Sequence, residues 1–119
     1  MDRVSRNKEK ILIMVNPRMK NIMRKIKCDY NDNYFKLTED EKDIVSFQIA
    51  VAVLNATLEI LNYQFTKEEV PAILEISAIN LTMLEHDFSE LELYSYAQIM
   101  KDSKSKINND LFELVGNKL

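Results

Sequence analysis

Glycine occurs once in the 119 residues, at Gly116, and proline twice, at Pro17 and Pro71. Sheets depend on tight turns, and tight turns draw on Gly, Pro and Asn-Gly pairs. Their scarcity argues against a β-rich chain and predicts an all-α fold. It also rules out the Gly-rich phosphate cradles of P-loop and dinucleotide-binding proteins. Cysteine is a single residue, Cys28, so there is no disulfide framework and no Cys-rich metal site. Long apolar runs are missing as well. Behind the charged segment Met1 to Lys10 the first run is only Ile11 to Val15, too short for a signal-peptide core. No stretch approaches membrane-spanning length, so no transmembrane segment is expected and the expected location is cytoplasmic.

The composition that remains is 46% hydrophobic and 29% charged, as in globular proteins, and the length suits one domain over 1–119. Abundant Ile, Asn and Lys fit an AT-rich genome, bacterial, phage or viral. The net charge of −3 conceals a split. Residues 1–27 carry nine Lys and Arg against Asp2 and Glu9, a balance of +7. Residues 28–119 carry seven against seventeen Asp and Glu, a balance of −10. A basic N-terminal arm thus precedes an acidic body.

Three segments match a helix-start signature, a hydroxyl followed three residues later by a carboxylate: Thr38-x-x-Glu41, Thr66-x-x-Glu69 and Ser89-x-x-Glu92. The hydroxyl accepts from the third amide and the carboxylate returns to the first. Starts are therefore expected near 39, 67 and 90. In the arm, Ile11, Val15, Met19, Ile22 and Ile26 recur at helical spacing straight through Pro17. That phase favours one helix over about 6–28, kinked at the proline, over a break with Asn16 as its cap. Ile44, Phe47, Val51, Leu54, Leu58 and Leu61 form one apolar face of a helix over about 39–63. Val45, Ile49, Ala52, Ala56 and Ile60 form a second, leaving Gln48, Asn55, Glu59 and Asn62 as a polar strip. A helix over about 69–86 is similarly apolar, through Val70, Ile73, Leu74, Ile76, Ile79, Leu81, Met83 and Leu84. Shorter amphipathic segments over about 90–101 and 105–115 follow, the last closed by Gly116. Short connections imply a bundle of four to five helices around the central apolar pair. Two nearly all-round apolar helices need more cover than three narrower ones readily supply, which makes a homodimer a candidate state.

Chemistry-bearing residues are sparse. His86 is the only histidine; it shares a helix face with Thr82, and nothing near it in sequence nominates a nucleophile. A dyad of Cys28 with His86 lacks any flanking signature. One His and one Cys are poor zinc ligands, and no Glu-x-x-His pair suggests a di-iron site. Asp29-x-Asn31-x-Asn33 begins like a calcium loop, but Tyr34 stands where glycine is required and Asp40 where a bidentate glutamate is expected. An Asx-rich turn accounts for it better. No catalytic residue, metal or cofactor is assigned.

The expected role is non-catalytic: a small helical regulator, inhibitor or immunity-type factor that binds another protein. The candidate contacts are Arg18, Lys20, Arg24 and Lys25 of the arm, with Tyr30, Tyr34 and Phe35 of the expected connector, Cys28 to Leu37, as aromatic anchors. Docking of the arm on its own acidic body is the simplest use of its apolar stripe. Nucleic acid is the less favoured partner, because the acidic body repels phosphate.

Overall fold

The computed structural model describes residues 2–30 and 33–116, with the backbone alone for 27–30. Among the described residues there are six α-helices: α1 (Arg3–Arg6), α2 (Lys8–Tyr30), α3 (Glu39–Ile60), α4 (Val70–Glu90), α5 (Tyr94–Lys104) and α6 (Asn109–Gly116). Single 3-10 turns precede α3 and α4, at Tyr34–Lys36 and Lys67–Glu69, and no strand occurs among the described residues. The fold is all-α.

Local chemistry explains where most helices begin. Asp2 accepts from the Ser5 amide at 2.8 Å and starts α1. Asn7, at φ −108 and ψ 18, separates that single turn from α2. The helix α2 then runs unbroken through Pro17, as the apolar phase predicts. Pro17 cannot donate to Ile13, but both residues are exposed, so water can reach the freed carbonyl. At α3 the capping box closes in both directions: Glu41 N donates to Thr38 Oγ1 at 3.2 Å, and Thr38 N to Glu41 Oε1 at 3.1 Å. At Thr66 the backbone amide donates to Glu69 Oε1 at 2.7 Å, but the turn it closes is 3-10, and α4 begins at Val70 with Pro71 in its first turn. Asn108 caps α6 by accepting from Leu111 N at 2.8 Å.

The third signature is not a helix start. Ser89 lies in the last turn of α4, and Glu92 sits past its end at φ 59. The amide of Leu93 returns to the Phe88 carbonyl at 2.9 Å, a wrapping bond that ends helices. The cause is Phe88, fully buried in phase with Leu81 and Leu84, which carries α4 one turn beyond 86. The helix α5 therefore starts at Tyr94, without a side-chain cap. The same wrapping bond ends α3 earlier than 63: Tyr63 N donates to Leu58 O at 2.9 Å, with Asn62 and Tyr63 at φ 54 and 58.

All six helices contribute to one buried cluster that includes Val15, Leu54, Leu58, Ile73, Phe88 and Val115. The central pair α3 and α4 meets through small and hydroxylated residues. Thr57 Oγ1 and Ser77 Oγ lie 3.2 Å apart, so one donates to the other, and each also has a carbonyl one turn back in its own helix within hydrogen-bond distance. Buried hydroxyls satisfied in this way cost little and permit close approach. The buried face of α3 is thereby rotated from the first expected one. Val45, Ile49, Ala50, Val53, Leu54 and Leu58 point inward, while Ile44 and Phe47 are exposed. Among the described residues α3 alone has the length and composition to cross a membrane, and half of that stretch is buried inside the protein, as in a core helix.

Leu54 and Leu58 are both fully buried, so replacing either by Ala is expected to destabilise the fold by about 2–5 kcal/mol in denaturant titration. Ile44→Ala, on the exposed edge of the same helix, is expected to cost far less.

Candidate interaction surface

The basic arm lies on its own body. On α2, Ile11, Val15, Met19 and Ile26 are buried and Ile22 is half-buried. Among the described residues three ion pairs cross from the arm to the acidic segment: Arg3 to Glu69 at 3.2 Å, Lys8 to Glu75 at 2.6 Å and Arg18 to Glu59 at 3.1 Å. The first is the strongest anchor. Glu69 is buried, receives the Thr66 amide, and faces an Arg3 that also donates to the Gln64 carbonyl at 2.7 Å. The Thr66 amide first, and the Arg3 charge with it, hold the Glu69 carboxyl below its ordinary value. Arg18 and Glu59 are both well exposed, and pairs of that kind contribute little.

What remains outward on α2 is a mixed face. Lys10, Lys20, Arg24 and Lys25 are exposed, and Glu9 is the acidic residue among the described side chains of that helix. Ile13 and Met14 lie among them, 72% and 52% exposed. The spacing Ile13, Pro17, Lys20, Arg24 sets an apolar patch and two cations on one line along the helix. Beside it a cleft of about 330 Å³ runs between Lys10 and Met14 on α2 and Ile60, Leu61 and Asn62 at the end of α3. The polar strip of α3 is a bonded chain: Tyr63 Oη donates to Asn55 Oδ1 at 2.8 Å, Asn55 Nδ2 to Glu59 Oε1 at 3.4 Å, and Glu59 pairs with Arg18.

The expected contact residues divide. Lys20, Arg24 and Lys25 share the outer face of α2, whereas Arg18 is tied to Glu59. Phe35 is exposed, but Tyr34 is fully buried and donates to Asp102 Oδ2 at 2.5 Å, with Lys42 Nζ 5.8 Å from its ring centre. Burial, with the Asp102 hydrogen bond second, pushes its phenol above the ordinary range. Tyr34 is thus a clamp between the connector and α5 rather than a partner anchor. It stands beside an exposed Phe35 in a segment with no helical apolar phase, so nothing local marks it as core. The side chains of Tyr30 and Cys28, and Asn31 of the Asx-rich turn, lie outside the described residues. Lys10, Ile13 and Met14 were not expected at the surface site. The signal was available, since Ile13 and Met14 fall out of phase with the buried stripe.

His86 is exposed, with Nε2 3.6 Å from Glu90, and Thr82 one turn away donates to the Ala78 carbonyl. No nucleophile stands beside the imidazole in these contacts. No group of three or more His, Cys, Asp or Glu able to hold a metal occurs among the described residues.

Because Glu69 titrates below 4.5 when folded, its stabilising contribution is present above that pH and is lost as pH falls through the lower folded value. Glu69→Gln is expected to lower thermal stability at neutral pH and to flatten its loss on acidification below about pH 4.5. Asp2 and Glu41, also held low by backbone amides, supply an acid slope common to both proteins, so the difference reports Glu69. Neither a protein-family model, nor a curated protein, nor a solved structure matches the chain.

Proposed function

We propose that the protein is a non-catalytic cytoplasmic binding factor, a regulator, inhibitor or immunity-type protein, that recognises an acidic surface of another protein through the outer face of α2. The observation that carries this reading is the face left after the arm has docked. Lys10, Lys20, Arg24 and Lys25 are exposed beside Ile13 and Met14, on a helix fixed by its other side. A rigid helix presenting apolar anchors among exposed lysines and arginines suits a protein surface of opposite charge, where the anchors supply affinity and the charges set encounter rate and specificity. The acidic body, at −10 over residues 28–119, disfavours an extended polyanion such as DNA or RNA.

The test is affinity capture from the native host, with mass spectrometry, comparing the wild type with a K20E/R24E/K25E variant. Arg18 is left in place because its pairing with Glu59 would confound the result. A defined acidic protein should be retained by the wild type, weakened by rising salt, and lost from the variant. If instead the wild type is held by DNA or heparin in a steeply salt-dependent way that the variant lacks, the protein-binding reading fails.

A further inference from the structure

A second face carries the opposite charge. Between Lys67 and Lys101 the chain has no Lys or Arg, but seven carboxylates. Two of them, Glu69 and Glu75, are paired with Arg3 and Lys8 of the arm. Asp87, Glu90 and Glu92 are exposed at the end of α4 and in the turn to α5, with Glu85 half-buried beside them. The ion pair seen among these four joins Glu90 to His86, and none reaches a Lys or Arg among the described residues. Apolar side chains stand in the same place: Leu91 is 60% and Tyr94 59% exposed, and Met83 lies two turns back on α4. This is therefore an acidic rim around apolar side chains. The outer face of α2 sets Ile13 and Met14 between Lys10 and Lys20, with Arg24 and Lys25 further along the helix. Each has the chemistry that the other lacks, and the docked position of α1 and α2 directs their paired cations to Glu59, Glu69 and Glu75 instead.

We infer that the occupant of the α4–α5 turn is a second copy of this chain, bound through the outer face of its α2. The contact is head-to-tail, joining two different surfaces. It is made twice in a closed pair, or once per copy in an open chain. Its basic half is the face assigned above to an acidic partner and rests on that reading; its acidic half does not. A partner that takes the α2 face competes with self-association, so assembly and partner binding exclude each other.

Light scattering coupled to size exclusion, over a range of protein and salt concentrations, tests the contact. The wild-type mass should rise above 14.0 kDa with concentration at low salt and return towards it as salt is added. K20E/R24E/K25E and D87K/E90K/E92K should each stay at 14.0 kDa alone, because each then presents two faces of one sign. Their equimolar mixture should regain the higher mass, since reversed faces match reversed faces and native faces match native ones. The second variant places lysines at the C-terminal end of α4, where the helix dipole favours them. An I13Q/M14Q variant, which leaves every charge in place, should weaken association while keeping its salt dependence. A wild type that remains at 14.0 kDa throughout, variants that keep the wild-type mass, or a mixture that stays monomeric would each overturn the inference. Capture of an acidic protein, lost on reversal of the α2 charges, from a chain that never self-associates would leave the proposed function standing and remove this contact alone.

Discussion

Four side chains of α2, Ile11, Val15, Met19 and Ile26, are buried against the body, and their burial decides which face of a basic helix is left for anything else. Fully burying an Ile, Val or Met side chain contributes about 1.5–3 kcal/mol before the ordering of the chain is counted. An exposed ion pair contributes about 0–1 kcal/mol. The apolar stripe therefore holds the arm down, and the charges orient it. Of the three crossing pairs, only Arg3 to Glu69 has a buried partner, and that carboxylate is bonded from two directions. It fixes the entry of the chain at the point where α4 begins, so the first turn of the arm and the first turn of the central helix share one anchor.

The arm packs against both α3 and α4, which meet each other at Thr57 and Ser77. Their seam uses Thr57 and Ser77 where larger apolar residues would hold the axes apart. On this packing α3 turns Val45, Ile49, Val53 and Leu54 inward, and Ile44 and Phe47 are carried to the outer edge. The cover that α3 needs comes from several neighbours at once: α2 on one side, α4 and α5 on others, and α6 along part of its length. Its polar strip is not idle surface either. Asn55 and Glu59 link Tyr63, in the left-handed turn after α3, to Arg18 on α2, so the strip pins both the end of the helix and the middle of the arm.

The helical class and the run of α2 through Pro17 were legible because each follows from a local rule: the absence of turn residues, and an unbroken apolar phase. The start at Thr38 was legible for the same reason. Ser89 was misleading because a hydroxyl and a glutamate three residues apart are a common pair on any acidic helix, and local pattern carries no information on where Phe88 is buried. The rotated face of α3 had a similar origin. A helix apolar on nearly all sides leaves its orientation to its neighbours, and neither Thr57 nor Ser77 announces itself as a seam residue. Tyr34 shows the limit most plainly: its burial depends on Asp102, 68 positions away. The charges of the surface site were legible, but not which cations the fold would pair. Arg18 and Lys20 stand two residues apart, and only the course of α3 beneath them separates a paired cation from a free one.

That separation gives the charge split a structural meaning. If the whole +7 of residues 1–27 had been neutralised by the −10 that follows, the protein would present an even surface. Instead the pairs form at α1, where α2 starts, and where α2 crosses the end of α3, which leaves cations on the outer side of α2. Carboxylates at the α4–α5 turn are left by the same geometry, since the arm that could neutralise them lies against the other end of α4. Both surfaces are residues of one docking event. Mobile ions screen exposed charges over about 8–10 Å at physiological ionic strength, so neither surface acts at long range. Each becomes effective when its apolar side chains bring an opposite surface into contact, which is why Ile13 and Met14 on one face, and Leu91 and Tyr94 on the other, matter as much as the charges around them.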